Sequence, residues 1–224
     1  MKVGTDGVLL GAWVNPSKAK AILDIGTGTG LIALMAAQKC VAEIDAIEID
    51  RCAFEQAGEN FANSIWGDRL QVFHFSLQEY AGICRKKYDL ILSNPPFYSD
   101  ACSASTAARN IARHSDITLS SGDLISGVLK LLASDGKCCF ILPAKEGMDF
   151  IKQAETNQLF VKRLTRVKTK PGKSEKRLLI EFGYEMTERD ESDLIIQEDD
   201  LTWSKEYIEL TKDFYLGLKN PVAD

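Results

Sequence analysis

The sequence predicts an α/β protein with one mostly parallel sheet that ends in an antiparallel hairpin. Short apolar runs typical of strands alternate five times with segments of helical spacing. Two further apolar runs follow, separated by a loop that contains a Pro-Gly pair, which indicates a hairpin. The chain has 224 residues, 45% of them hydrophobic and 26% charged, which suits one globular domain over residues 1–224.

Composition and residue spacing argue against several classes of protein. The apolar runs fall well short of the ~18 residues of a membrane span. The six cysteines contain no CxxC pair, which is typical of a protein with reduced thiols. His74 and His114 have no Cys or acid at ligand spacing. We therefore expect a cytoplasmic protein that needs no metal, no membrane and no obligate protein partner.

The first thirteen residues predict a turn that leads into a short helix, because Gly4, Gly7 and Gly11 alternate with polar and apolar groups. The chain starts abruptly at Met1, without the polar, irregular residues typical of a terminus. We expect the natural protein to have a further amino-terminal segment.

A glycine turn, Gly26-Thr27-Gly28-Thr29-Gly30, directly follows the first predicted strand and precedes a helix. Glycines allow the backbone to approach a ligand closely, and a helix amino terminus offers free N–H groups. Glu48 ends the second strand about twenty residues later, where an acid can accept hydrogen bonds from ribose hydroxyls. Since the spacing is G-x-G-x-G, a nucleoside without a pyrophosphate fits better than a nicotinamide dinucleotide.

The remaining elements follow from apolar periodicity. Ser76 and Glu79 have the spacing of a capping box at a helix start. The acidic stretch 185–200 is predicted to be a loop. The predicted strands cover 21–25, 43–49, 70–75, 88–93, 137–142, 160–168 and 177–184, and the predicted helices 31–39, 51–63, 119–133, 145–157 and 204–218, with one more after Ser76.

The fourth strand ends in Asn94-Pro95-Pro96-Phe97, which folding needs alone explain poorly. Proline lacks a backbone N–H and fixes φ, so the strand must stop at Asn94. The result is a rigid turn that presents an amide, carbonyl acceptors and an aromatic ring. Ligands bind at this edge of open α/β sheets, so the turn is a candidate site. A plain strand terminator is the alternative.

Two groups of basic residues favour an anionic partner. Residues 162–177 hold eight Lys or Arg against one Glu, a local net charge of +7, so the rest of the chain carries −5 − 7 = −12. Arg109 and Arg113 are four apart in the long polar stretch 98–115 and share a face if it is helical. Phosphate contact is one interpretation, and a solvated surface is the other.

These motifs together resemble the class I S-adenosylmethionine-dependent methyltransferases. Asp24 to Gly30 is similar to their Asp-x-Gly-x-Gly-x-Gly turn, and Asn94 to Phe97 to their motif for methylating planar nitrogens. The first thirteen residues, Ala112-Arg113-His114 and Asp213-Phe214-Tyr215-Leu216 are similar to one subgroup, the bacterial tRNA(Val) adenine-N6-methyltransferases.

The resemblance implies a Rossmann-like fold with seven strands, S-adenosylmethionine as cofactor and tRNA as substrate. By position in the motifs, the implied catalytic residues are Asn94, Pro95, Pro96 and Phe97. The implied cofactor contacts are Lys2, Gly4, Thr5, Asp24, Gly26, Thr27, Gly28, Gly30, Glu48, Ile49, Ser76, Leu77 and Asn94. The RNA contacts expected from charge are Arg109, Arg113, Lys168, Lys170, Lys173 and Lys176.

Ser76 departs from the pattern of this family. Many members have an Asp here, which binds the adenine amine of the cofactor. A hydroxyl accepts such a hydrogen bond without adding charge, so we expect a weaker contact. A purely structural role of Ser76 as a helix cap is at least as well supported.

Four other functions are alternatives at this level. The same nitrogen chemistry serves the methylation of a protein glutamine or of a DNA adenine. A non-catalytic RNA-binding module is disfavoured by the intact glycine turn, Glu48 and Asn94. A nicotinamide oxidoreductase is disfavoured by the glycine spacing.

Overall fold

The computed structural model describes residues 4–96 and 119–216. Within these residues, eight strands form one sheet in the order β3-β2-β1-β4-β5-β7-β6-β8. The strands are β1 Ala21–Ile25, β2 Glu43–Glu48, β3 Leu70–His74, β4 Tyr88–Ser93, β5 Leu132–Pro143, β6 Phe160–Lys168, β7 Glu175–Gly183 and β8 Asp190–Ile195.

The described helices lie between these strands and at both ends of the order. They are α1 Thr5–Trp13, α2 Leu31–Lys39, α3 Arg51–Ala62, α4 Leu77–Ile83, α5 Ser121–Leu131, α6 Ala144–Thr156 and α7 Lys205–Thr211, with a 3-10 turn at Gly67–Arg69. The helix predicted over 204–218 is shorter than expected, since α7 ends at Thr211 and a turn follows.

Every strand pair is parallel except those of β7, which lies antiparallel between β5 and β6. The predicted α/β class and the terminal hairpin are therefore confirmed. From β1 the chain builds outward to β2 and β3, and then returns to β4 on the other side of β1. In such a sheet the crevice at the carboxyl ends of β1 and β4 is the usual ligand site.

The structure has one strand more than the seven predicted, and this strand lies within the segment 185–200 that was predicted to be a loop. Residues Asp190–Ile195 form an eighth strand that pairs in parallel with β6 at the edge of the sheet. Its acidic side chains face basic ones, with Arg166 2.7 Å from Glu191 and Lys168 2.6 Å from Asp193. Cross-strand charge pairs of this kind stabilise a strand whose own residues have low strand propensity.

Two apolar cores cover the two faces of the sheet. On one face α4, α5 and α6 bury a cluster that includes three edge-to-face rings, Phe140, Phe150 and Phe182. On the other face α1, α2 and α7 pack on β1 and its neighbours. Because both faces of the sheet are buried, polar side chains are expected mainly at the ends of the strands and in the loops that follow them.

No helix of the described residues is long and apolar enough to cross a membrane.

Candidate active site

The candidate site lies where β1, β2 and β4 end side by side. Ile25, the last residue of β1, pairs with Ile47 on one side and with Ser93 on the other. The glycine turn, Glu48 and Asn94 each follow one of these positions directly. The register therefore brings the predicted nucleoside-binding groups and the Asn-Pro-Pro turn to one edge.

The glycine turn has a backbone that other residues rarely adopt. Gly26, Gly28 and Gly30 have φ angles of +68°, +59° and +87°. A Cβ added to Gly30 would lie 2.5 Å from Cε1 of Phe61, so this position is also closed by packing. The amides of Gly26 and Thr27 both donate to the Ile47 carbonyl, at 2.9 and 3.1 Å, which ties the turn to β2.

Glu48 is buried and its carboxylate is already held by the backbone. Its Oε1 accepts from the amides of Ile49 and Asp50, at 2.8 and 2.9 Å. Its Oε2 accepts from the amide of Gly28 at 2.8 Å. Oε1 therefore has both acceptor positions used, and Oε2 keeps one that a ligand hydroxyl can fill.

Asp24 lies beneath the glycine turn and is fully buried. Its Oδ2 accepts from the Thr27 hydroxyl at 2.6 Å, while Oδ1 has no hydrogen-bond partner among the described residues. Burial raises the pKa of this carboxyl to about 7; the Thr27 hydroxyl opposes the rise and the charge of Glu48 adds to it. Asp24 is thus a buried acid with unused hydrogen-bonding capacity at the site.

The loop after β2 is fixed by the end of β3. His74 shares a 2.9 Å hydrogen bond with the Ile49 carbonyl through Nε2, and its ring stacks on Phe54 with centroids 5.1 Å apart. The Ile49 side chain stays 46% exposed, so it offers an apolar surface next to Glu48.

Ser76 forms the predicted capping box with Glu79. Its hydroxyl accepts from the Glu79 amide at 3.2 Å and donates to Glu79 Oε2 at 2.7 Å, while its own amide donates to Oε2 at 2.9 Å. The Ser76 hydroxyl therefore caps the amino terminus of α4 in this structure. Leu77, the next residue, is buried.

The Asn-Pro-Pro turn is anchored by Ser93, the last residue of β4. The Ser93 side chain is fully buried and its hydroxyl donates to the Ile25 carbonyl at 2.8 Å, which locks the end of β4 to the end of β1. Asn94 follows half-buried, Pro95 is buried and Pro96 is exposed. The anchored strand end thus places the backbone of Asn94 beside the start of the glycine turn.

Helix α1 brings the amino-terminal residues to the same edge. A Cβ on Gly7 would lie 3.2 Å from Cδ2 of Leu31, and one on Gly11 would lie 2.6 Å from Sδ of Met35. The successive contacts show that α1 and α2 lie in close contact and run in the same direction. Gly4 and Thr5, at the start of α1, therefore lie on the side where α2 leaves the glycine turn.

The segment that we call the basic hairpin, residues 168–177, also lies at this edge. Because β7 is antiparallel to β5, its first residues meet the last of β5, and Arg177 pairs with Pro143. Lys168 is held by Asp193. Lys173 and Lys176 are exposed and Lys170 is half-buried, and no ion pair holds these three within the described ranges.

An ion pair that sequence reasoning missed joins the two sides of this edge. Asp6, in the first turn of α1, accepts a 2.7 Å hydrogen bond from Nε of Arg177 in β7. These residues are 171 positions apart, and no spacing pattern in the sequence relates them.

Four predicted site residues lie outside the described residues: Lys2, Phe97, Arg109 and Arg113. Among the described residues, no group of three or more His, Cys, Asp or Glu is placed to hold a metal ion.

Comparison with known proteins first shows the general class, which is that of the methyltransferases. A family model described as the methyltransferase small domain matches residues 3–138. A crystal structure described as a predicted O-methyltransferase from Agrobacterium tumefaciens has a TM-score of 0.73 at 18% identity, covering 93% of this chain and 96% of that one. This structural likeness shows the fold alone.

Two relatives narrow the class. The tRNA1(Val) (adenine(37)-N6)-methyltransferase of Trichodesmium erythraeum is 47% identical over 219 residues, covering 96% of this chain and 91% of the relative. The protein of the same name from Flavobacterium psychrophilum is 45% identical, covering 97% and 94%. The chain belongs to the methyltransferase family that these relatives represent.

Proposed function

We propose that the protein methylates N6 of an adenine in tRNA, with S-adenosylmethionine as the methyl donor. The adenine is the one at position 37 of tRNA1(Val), as in the names of the relatives. The observation that carries the proposal is the position of Asn94 at the end of β4, locked beside the glycine turn that ends β1. The whole chain, residues 1–224, acts as one methyltransferase domain in the cytoplasm, where tRNA is found.

The residues at the edge fit the cofactor. The glycine turn leaves room for close approach, since a Cβ on Gly26 would meet no atom within 4 Å. Glu48 has one acceptor position free for a ribose hydroxyl, and Ile49 offers apolar surface for the adenine ring. Gly4, Thr5, Asp24, Thr27, Gly28, Gly30, Ser76 and Leu77 complete the proposed site, together with Lys2 beyond the described residues.

When bound, the cofactor supplies a methyl group carried on a sulfonium, which is already a good leaving group. The main task of the chain is then to position the target nitrogen in line with that methyl group, without a metal ion.

Asn94 and Pro95 perform this task. The Asn94 Oδ1 and the Pro95 carbonyl are acceptors for the two hydrogens of the adenine amine. These hydrogen bonds strengthen as positive charge develops on nitrogen, so they favour the transition state over the ground state. Phe97 stacks on the base after it leaves the RNA stack.

The basic hairpin supports RNA as the partner. Lys170, Lys173 and Lys176 are available for phosphate, at the same edge as Asn94. Phosphate contacts orient a nucleic acid without reading its sequence. Arg109 and Arg113, which lie outside the described residues, are further RNA contacts in the proposal.

Incubation of the protein with labelled S-adenosylmethionine and total tRNA tests the proposal. The expected product is N6-methyladenosine in one tRNA, identified by nucleoside analysis and mapped by fragment sequencing. No label in tRNA, with label in DNA or in a protein glutamine when those substrates are offered in parallel incubations, would contradict it. The same assay with tRNA1(Val) whose position 37 is not adenine is the matched control and should give no label.

A further inference from the structure

Helix α1 is fixed at its far end independently of the site. The Lys39 ammonium at the end of α2 donates to the carbonyls of Gly11, Ala12 and Val14, the first two at 3.3 and 2.7 Å. The indole of Trp13 donates to the Thr165 hydroxyl at 2.9 Å, and the guanidinium of Arg163 lies 3.6 Å from the centre of the Trp13 ring. The carboxyl end of α1 therefore needs no help from Asp6.

Within the described residues, the Arg177 guanidinium hydrogen-bonds the near end of α1 to the basic hairpin. Arg177 donates from Nε to Asp6 at 2.7 Å, and from Nη1 to the Lys176 carbonyl at 3.0 Å. One side chain thus ties the first turn of α1 and the backbone of the hairpin together. Arg177 itself is held in register between Pro143 of β5 and Val167 of β6.

This pair contributes little to the stability of the fold. The Arg177 and Asp6 side chains are 37% and 32% exposed, and half-exposed ion pairs are among the weakest stabilising contacts in proteins. The buried residues Leu9 and Leu10 already hold α1 against the sheet. What the pair does fix is the position of the α1 start relative to the hairpin.

We infer that Asp6 and Arg177 are positioning residues that couple cofactor binding to tRNA binding. The inference rests on the proposed function, because it assigns the α1 start to the cofactor and the hairpin to RNA. Bound cofactor orders the start of α1, and bound tRNA orders the basic hairpin. Because the Asp6–Arg177 contact joins these two segments, the ordering of one favours the ordering of the other. By linkage, each ligand then raises the affinity for the other by the same factor.

The test compares the affinity for S-adenosylhomocysteine, measured by calorimetry, with and without saturating tRNA. In the unmodified protein tRNA should tighten this affinity by about fivefold. Asp6→Ala and Arg177→Met remove the acceptor and the donor of this contact, so each should abolish the enhancement, with the affinity in the absence of tRNA unchanged within about twofold. The double variant should behave like either single one, because all three lack the same contact.

A matched control keeps the result specific. Glu191→Ala breaks the Arg166 pair, which has a similar 2.7 Å contact and similar exposures of 33% and 39% but lies at the β8 edge. This variant should keep the full enhancement. Melting curves of all variants should overlay that of the unmodified protein.

Two results would overturn the inference. One is an enhancement that persists in Asp6→Ala or that is absent from the unmodified protein. The other is tighter tRNA binding by Asp6→Ala, which would make Arg177 a phosphate ligand that Asp6 merely neutralises. Failure of the proposed function is distinct, since the unmodified protein would then transfer no methyl group to tRNA.

Discussion

The glycine turn and the basic hairpin lie at the same edge of the sheet but are built in opposite ways. At the glycine turn, groups close by in the chain or on the adjacent strand hold the buried acids: the amides of Gly28, Ile49 and Asp50 hold Glu48, and the Thr27 hydroxyl holds Asp24. In the basic hairpin, charged side chains are exposed or held by partners from distant strands, as Lys168 is by Asp193. Local backbone geometry defines the first region, and tertiary pairing decides which charges of the second stay available.

The largest expected effect comes from the buried acid of the first region. Asp24 has a pKa of about 7 in the folded protein against 3.8 for an ordinary aspartate, so the unfolded chain ionises it more easily. The stability that comes from keeping Asp24 protonated is therefore fully present below about pH 4 and is lost as the pH rises to about 7. Over this pH range the free energy of unfolding falls by on the order of 4 kcal/mol. Asp24→Asn should remove this loss, so the variant should gain stability over the unmodified protein as pH rises.

Urea unfolding of both proteins at about pH 5 and about pH 8 measures the effect. The free energy of unfolding of Asp24→Asn minus that of the unmodified protein should be larger at the higher pH. Thr27→Val, which removes the hydroxyl that donates to Asp24, is the control; it should steepen the pH dependence. A difference that does not change with pH would show that Asp24 is ionised throughout.

Glu48 should matter next, for folding as well as for binding, because its carboxylate also accepts from three backbone amides. Its open acceptor position on Oε2 allows one charge-assisted hydrogen bond to a ribose hydroxyl, worth about 2 kcal/mol. Glu48→Ala should therefore weaken binding of S-adenosylhomocysteine by roughly 30-fold in calorimetry. Glu48→Gln keeps one acceptor oxygen and should lose less. Unchanged affinity in the alanine variant would remove the ribose role.

The lysines of the hairpin should have the smallest effect individually and the clearest salt dependence. The triple variant Lys170→Gln, Lys173→Gln, Lys176→Gln should bind tRNA about tenfold more weakly and lower the slope of log affinity against log salt by about 2. Lys168→Gln is the comparison and should change both quantities less, because Asp193 already neutralises this ammonium. Equal losses per lysine would show that the β8 pairing does not limit RNA contact.

This contrast also explains what the sequence could predict. The glycine turn, Glu48 and the Ser76 cap were predictable because each depends on residues within a few positions or on adjacent strand ends. The eighth strand was not, since the run Asp190-Glu191-Ser192-Asp193 is polar and indicates a loop by local propensity. It forms because Arg166 and Lys168 of β6 face its acids, a pairing that no local pattern reveals.

The Asp6–Arg177 pair was missed for the same reason. The sequence marks Arg177 as part of a basic segment and Asp6 as a polar residue near a turn, and no pattern relates the two. Their meeting follows from the parallel packing of α1 on α2 and from the antiparallel insertion of β7 beside β5. Such a contact depends on the assembled sheet rather than on any short stretch of chain.

The most direct test of the account is single-turnover methyl transfer by Asn94→Ala, with cofactor and tRNA both saturating. The account predicts a rate at least about 100-fold lower, with the affinity for S-adenosylhomocysteine within about twofold of the unmodified protein. Asn94→Asp, which keeps an acceptor oxygen, should lose less. An unchanged rate in Asn94→Ala would contradict the claim that this amide positions the adenine amine for transfer.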